Sequence, residues 1–151
     1  RLQRLYENKR ELQSLQHSQI YRLSSAGNST EVDPGPGPYV PIYQVSPLHH
    51  NQATIMYNQK SFPTRNQTLD IMLSTRRPQV SAILYPESTT PSSVLYFPVG
   101  TDFSNSADIV GTTSIEFDWE DTFREGLPLD NAGIVVVLEN SYGQENTFMI
   151  Q

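Results

Sequence analysis

An α+β fold is what this sequence predicts: an antiparallel sheet flanked by helices and led by a long helix. Three observations carry that expectation. The first 23 residues contain no Gly or Pro and place apolar side chains three or four apart. A stretch dense in Pro and Gly follows. Beyond it, β-rich runs alternate with turn residues.

Arg1 to Leu23 reads as the long helix. Gln, Leu, Arg, Glu and Lys dominate it, and Leu2, Leu5, Tyr6, Leu12, Leu15, Ile20 and Leu23 form its stripe. The stripe is narrow and broken by Lys9, Gln16 and Gln19. Such a helix packs one face on a domain or pairs with a copy of itself, which makes a homodimer one expected assembly. Gly27, Asn28 and Ser29 end it, and Pro34 to Pro38 (PGPGP) continues no regular element. The expected division is therefore a helix over 1–25, a linker over 26–38 and a sensor-like domain over 39–151.

Tyr39 to Val45 reads as extended, with Pro41 at an edge. Ser46 to Asn58 is polar loop plus Ala53 to Tyr57, to which the pattern assigns no state. Leu69 to Arg77 is a helix with Thr68 as N-cap and Leu69, Met72 and Leu73 on one face, stopped by Pro78. Val80 to Tyr85 and Ser93 to Val99 are strands around a loop holding Pro86 and Pro91, and Ile109 to Phe117 is another. Asp118 then caps a short helix, with Glu120 and Asp121 at the positive end of its dipole. Trp119, Phe123 and Leu127 are its buried stripe; Gly126 and Pro128 end it. Ile134 to Leu138 is apolar on both faces, which predicts a central strand. Asn140 to Gln144 is hairpin chemistry, and Thr147 to Ile150 is the last strand. The order of elements is that of a PAS-like sensor.

Composition narrows the function. With 151 residues the chain can bury one core, yet only 36% is hydrophobic, and Pro and Gly together number 19, which favours long loops. A net charge of −6 argues against nucleic acid as the main partner, and none is expected. The charge is polarised: residues 1–25 hold five Lys/Arg against two Glu, and residues 101–151 hold ten Asp/Glu against Arg124 alone. The basic end suits an anionic membrane surface; a solvated helix is the plainer reading. There is no cysteine, so disulfide and thiolate chemistry are excluded. No apolar run approaches the roughly 20 residues that span a bilayer, and no signal peptide is visible. The chain stops within the apolar run Phe148, Met149, Ile150 and so reads as a fragment of something longer, with membrane helices expected outside it.

A resemblance emerges from three blocks: GPYVPIYQVSP at Gly37 to Pro47, PSSVLYFPV at Pro91 to Val99, and WEDTFREGLPLDNAGIVVVLEN at Trp119 to Asn140 followed by TFMI. Together they resemble the extracytoplasmic region of receptor-type adenylate/guanylate cyclases of diatoms and related algae, over residues 35–151. The resemblance implies a CHASE-like sensor between two membrane helices, on the extracellular or lumenal face of a membrane, the plasma membrane foremost. The cyclase domain would lie beyond this chain. Some relatives carry a cysteine in the turn after Leu-Glu-Asn; here Ser141, Tyr142 and Gly143 fill it, so the disulfide expected there is missing.

No catalytic constellation is present, and no cofactor is expected. Gly126, Gly133 and Gly143 belong to no phosphate loop. Glu116, Asp118, Glu120 and Asp121 are the densest acidic cluster, but helix capping accounts for Asp118 and Asp121 and the spacing fits no calcium loop. His49 and His50 are adjacent and lack a third ligand, and His17 belongs to the first helix, so no metal site is assigned. Tyr39, Tyr43, Tyr57, Tyr85, Tyr96, Phe97 and Trp119 are either plain core or the wall of a small-molecule pocket. For a pocket, the expected ligand residues are Tyr43, Arg65, Tyr96 and Asp102, with Arg65 pairing a carboxylate or phosphate; a surface role for Arg65 is the plainer alternative. Asn28-Ser29-Thr30 and Asn66-Gln67-Thr68 are glycosylation triplets, making Asn28 and Asn66 candidate acceptors. The expected function is ligand sensing for a membrane receptor, relayed through the first helix, with no catalysis in this segment. A structural or adhesive extracellular module, and an enzyme domain, are the alternatives.

Overall fold

The computed structural model describes residues 19–23, 30–34, 39–51, 54–85, 90–102, 104, 107–127 and 133–150. The chain divides into two compact units, Arg1–Ser61 and Phe62–Gln151. The α+β class holds, with few helices and small antiparallel sheets.

In the first unit, strand β1 (Tyr21–Leu23) pairs antiparallel with β2 (Thr30–Val32). This corrects two expectations. The end of the predicted long helix is strand, while its residues 1–18 lie outside the described residues. Part of the predicted linker is strand as well. Tertiary pairing outweighs helix propensity here: the Tyr21 amide donates to the Met56 carbonyl at 3.0 Å, and its carbonyl accepts from the Asn58 amide at 2.7 Å. Within Tyr39–Val45, expected to be extended, Pro41 bridges Asn58 antiparallel, and Ile42 exchanges backbone hydrogen bonds with Tyr57 and Met56. Helix α1 (Leu48–Asn51) is a single turn. Buried Asn58 organises the unit. Its Oδ1 accepts from the Val40 amide at 3.0 Å, and its Nδ2 donates to Asp33 Oδ2 at 2.8 Å.

The second unit opens with helix α2 (Pro63–Thr75). The predicted start at Leu69 is corrected, and so is the cap at Thr68. Pro63 starts the helix because its fixed φ suits the first turn and it has no amide to leave unpaired. Thr68 lies inside, wholly buried, with its hydroxyl bonded to the Thr64 carbonyl at 3.2 Å. The expected Leu69 and Met72 face is buried. Arg76, in the left-handed region at φ 57°, ends the helix.

Strands β3 (Gln79–Val80), β4 (Ser92–Gly100) and β5 (Ile109–Asp118) form an antiparallel ladder in that order. The strand predicted over Val80–Tyr85 is shorter than expected. The Ser81 amide still donates to the Val94 carbonyl at 2.8 Å, but the Val94 amide turns to the Ser81 hydroxyl at 2.9 Å, and the next bridge is Leu84 with Ser92. At the far end a register shift falls between Val99 and Gly100. A Cβ on Gly100 would sit 2.9 Å from Ala107 Cβ, so the backbone approach there requires glycine.

Helix α3 (Trp119–Gly126) begins as predicted: Asp118 Oδ1 accepts from the Asp121 amide at 3.1 Å. Its aromatic stripe is half-buried, with Trp119 stacked on Phe123 and edge-on contacts to Phe117 and Phe148. Trp119 meets Phe117 at 4.8 Å and Phe123 at 5.6 Å, and Phe123 meets Phe148 at 5.3 Å between ring centroids. The hairpin of β6 (Ile134–Glu139) and β7 (Glu145–Ile150) turns at Asn140–Gln144, with Gly143 at φ 74°. β6 is not the predicted central strand. Among the described strands it pairs with β7 alone, and Val135 and Val137 are exposed. Among the described residues the strands form three separate ladders of two, three and two strands, and the expected single PAS-like sheet is not confirmed. The core of this unit gathers Leu69, Met72, Ala82, Ile83, Val94, Tyr96, Phe148 and Ile150.

Candidate functional site

Strand alternation sets one face of the β4–β5 ladder. Ser92, Val94 and Tyr96 share it, and the register places Glu116 opposite Val94 and Ser114 opposite Tyr96. Helix α2 runs alongside. Arg65 reaches Glu116, Met72 Sδ receives the Thr112 hydroxyl at 3.7 Å, and Arg76 donates to the Ala107 carbonyl at 3.0 Å. These contacts climb α2 while descending β5, so the two are antiparallel. Arg65, Thr68, Leu69 and Met72 form the sheet-facing stripe at helical spacing.

Arg65 sits in the first turn of α2 with its side chain only 17% exposed. Its guanidinium lies 5.0 Å from the centre of the Phe62 ring, a cation–π contact. Its Nη2 is 3.4 Å from Glu116 Oε2, and the other carboxylate oxygen is 3.5 Å from Ser92 Oγ. Tyr96 is wholly buried beside them. Burial pushes its phenol up to about 12; the Arg65 charge works against that rise and the Glu116 charge adds to it. The phenol is therefore neutral at ordinary pH. On the opposite face, Trp119 Nε1 donates to buried Ser93 Oγ at 2.9 Å.

Of the four ligand residues expected from sequence, Arg65 and Tyr96 come together. Asp102 lies past the end of β4, where its Oδ1 accepts from the Ser104 amide at 2.7 Å. Ser104, through hydroxyl and amide, holds that carboxyl below its ordinary range. Tyr43 belongs to the first unit and is exposed. Phe62, Ser92 and Glu116 complete the cluster, and of these only Glu116 drew attention in the sequence, as part of the acidic run. That run divides by role: Glu116 faces Arg65, while Asp118 caps α3. Partial desolvation opposes ionisation of Asp118, but the Thr90 hydroxyl and the Asp121 and Glu120 amides outweigh it and hold the carboxyl below its ordinary range. Among the described residues no three His, Cys, Asp or Glu side chains gather as a metal site. His49 is on α1 and exposed. Asn66 is half-buried within α2, and the Thr68 of its triplet is wholly buried; Asn28 and His17 lie outside the described residues.

The site is thus a sheet face with a helix laid across it, a half-buried guanidinium and a neutral buried phenol. The model of the CHASE domain matches residues 3–149. The chain belongs to the CHASE domain family. CHASE domains are extracellular sensory domains, in keeping with the CHASE-like sensor that the resemblance implies. Comparison with curated proteins and with solved structures gives no significant match. Among the described residues no helix is long and apolar enough to cross a membrane.

Proposed function

We propose that this CHASE domain is the extracytoplasmic ligand-sensing region of a plasma-membrane receptor whose output is a nucleotide cyclase. The observation that carries the reading is the family match over residues 3–149. The cyclase context is supported by the three sequence blocks, and the binding role by the cluster of Arg65, Tyr96 and Glu116. A small ligand held there favours one packing of α2 against β4 and β5 over another, a population shift that needs only differential affinity for the two packings. The relay leaves through the segment before β1 toward a flanking membrane helix. The chain itself turns over no substrate, and bond-making belongs to a cytoplasmic domain elsewhere in the parent protein.

The test uses the full-length parent in membrane vesicles beside the isolated chain. The reading expects apolar runs of about 20 residues on both sides of this region, cyclic-nucleotide synthesis by the parent, and none by the chain alone. A parent without such runs, or ATP or GTP turnover by the isolated chain, contradicts it.

One observation favours a second reading. Val135, Val137 and Met149 are all exposed on the outward side of the β6–β7 hairpin, with Val135 directly opposite Met149. Adjacent exposed apolar side chains suit an adhesive module. Self-association abolished by Val137→Lys, with no small ligand bound, would favour that reading.

A further inference from the structure

The side chains of the described asparagines are tied down, with one exception. Asn51 Nδ2 donates to the Pro47 carbonyl at 2.8 Å, and Asn58 Nδ2 to Asp33 Oδ2 at 2.8 Å. Asn140 Nδ2 donates to Gln144 Oε1 at 2.8 Å, and Asn146 Nδ2 to the Tyr85 hydroxyl at 2.6 Å. The exception among the described asparagines is Asn66. Its backbone amide bonds the Phe62 carbonyl at 2.8 Å, but its carboxamide bonds no protein group. Among the described residues no buried side-chain nitrogen or oxygen lacks a partner, so the Asn66 carboxamide opens to solvent.

Local structure gives no reason for an asparagine at this position. Asn66 lies within α2, behind Pro63, Thr64 and Arg65, so it caps nothing. Asparagine is a poor helix former because its side chain competes for backbone groups. Thr68 is different. Its hydroxyl is wholly buried, 3.2 Å from the Thr64 carbonyl and 2.9 Å from the Tyr142 hydroxyl. Packing accounts for the threonine and leaves the asparagine unexplained. What joins the two is the triplet Asn66-Gln67-Thr68, the acceptor pattern for N-linked sugar. Pro63 and Asp70, three residues before Asn66 and four after, are its neighbours on the helix surface, and both are exposed. A bulky group on the carboxamide therefore has a way out to solvent.

We propose that Asn66 carries an N-linked oligosaccharide, attached before α2 packs on its sheet. This goes beyond the sensory reading and takes from it only the extracytoplasmic placement. The donor is an oligosaccharide carried on a lipid pyrophosphate. Asn66 Nδ2 attacks the anomeric carbon of the first sugar. A nitrogen–carbon bond forms, the carbon–oxygen bond to the pyrophosphate breaks, its electron pair leaves with the lipid pyrophosphate, and the nitrogen gives up one proton. A transferase must grip both ends of the triplet, the carboxamide and the threonine hydroxyl. In the folded chain the hydroxyl end is sealed, since Thr68 is wholly buried. Transfer therefore comes first, and folding closes the triplet with the sugar left outside. A sugar there bars that shoulder of α2 from any partner surface.

The experiment is a peptide map of the full-length parent made in eukaryotic cells. Enzymatic release of N-linked sugar in heavy-oxygen water turns a sugar-bearing asparagine into isotope-labelled aspartate. Asn66 is expected to be recovered as labelled aspartate. Asn66→Gln is expected to lose one step of the glycosidase-sensitive gel shift and still reach the surface, because the side chain it replaces bonds no protein group. Unlabelled Asn66 in the wild type, or a gel shift unchanged in N66Q, would overturn the site. The wild-type map decides whatever the fate of the variant. Protease protection on sealed vesicles separates two failures. A bare Asn66 on an extracytoplasmic region overturns the modification alone, whereas a bare Asn66 on a cytoplasmic region overturns the sensory reading with it. A second arm tests the order of events. The folded chain made in bacteria and a synthetic peptide spanning residues 62–75 are each given purified transferase and lipid-linked donor. The peptide is expected to be modified and the folded chain to stay bare. Equal modification of both would overturn the claim that transfer precedes folding.

Discussion

Two regions of the second unit, the α2-covered ladder and the β6–β7 hairpin, have similar β-rich sequences but are secured by different physics. In the ladder, Leu69 and Met72 of α2 and Val94 and Tyr96 of β4 are all buried. The hairpin buries Phe148 and Ile150 on one side and exposes Val135, Val137 and Met149 on the other. Its further attachments are polar side chains. The Gln144 carboxamide accepts from the Ile83 amide at 2.7 Å and donates to the Ile83 carbonyl at 3.1 Å, standing in for a strand neighbour. The Tyr142 and Thr68 hydroxyls lie 2.9 Å apart, and Asn146 donates to Tyr85 at 2.6 Å. Apolar burial supplies most of the free energy, whereas each such hydrogen bond nets only about 0.5–1.5 kcal/mol and chiefly fixes orientation. The ladder should therefore open less readily than the hairpin.

The sharpest break of that contrast is Leu69→Ala. A wholly buried leucine replaced by alanine is expected to cost about 2–5 kcal/mol, whereas Val137→Ala on the outward face should stay within about 0.5 kcal/mol. Urea denaturation of both variants checks the difference, and similar losses would erase the distinction between the regions.

Next in size is an alkaline effect confined to the ladder. The Tyr96 phenol ionises at 10.0 when unperturbed and at about 12 here, because burial disfavours the phenolate. A raised acid of this kind contributes stability that is complete below pH 10.0 and lost as pH rises through about 12. At about 1.4 kcal/mol per unit the loss approaches about 3 kcal/mol. Stability measured against pH should fall over that window in the wild type, and the Tyr96 share of the fall should vanish in Tyr96→Phe.

Gln144→Leu sharpens the hairpin side. It leaves the Ile83 amide and carbonyl without this partner, an expected loss of about 1–3 kcal/mol. Hydrogen exchange should rise at Ile83 and along β6 and β7 while the amides of α2 keep their protection. A uniform rise across both regions would mean that they open together.

The smallest expected effect lies where β5 passes into α3. Asp118→Ala removes the N-cap at a cost of about 1 kcal/mol. Because the Asp118 carboxyl is held below 3.8, its contribution is present above that pH and lost as pH falls. The variant should therefore show a shallower acid limb than the wild type in thermal melts.

What was legible in the sequence was local. Asp118 with Trp119 and Phe123 announced a capped, aromatic-striped helix because cap and stripe lie within one short segment. The cores of β4 and β5 followed from β-branched and aromatic runs, and Asn140 to Gln144 from hairpin chemistry. Pairings distant in sequence stayed hidden. Tyr21–Leu23 looked helical because its composition is neutral and its partners, Met56 and Asn58, lie elsewhere. Ile134–Leu138 looked central because apolar residues occupy both faces, although only one face is covered. At the candidate site, Arg65 and Tyr96 stand out by residue type. Their company with Glu116 depends on the β4–β5 register and on the placement of α2, which no local pattern encodes.

The most direct measurement of the central claim, that this domain recognises a small ligand, is a thermal-shift screen of the chain against carboxylic acids paired with their neutral amides, with R65Q as the counter-screen. A ligand that binds only the folded form must raise the melting midpoint. The account predicts at least one acid that stabilises the wild type, does not stabilise R65Q, and has an inert amide. A screen in which no acid does so, or in which R65Q responds as the wild type does, would contradict it.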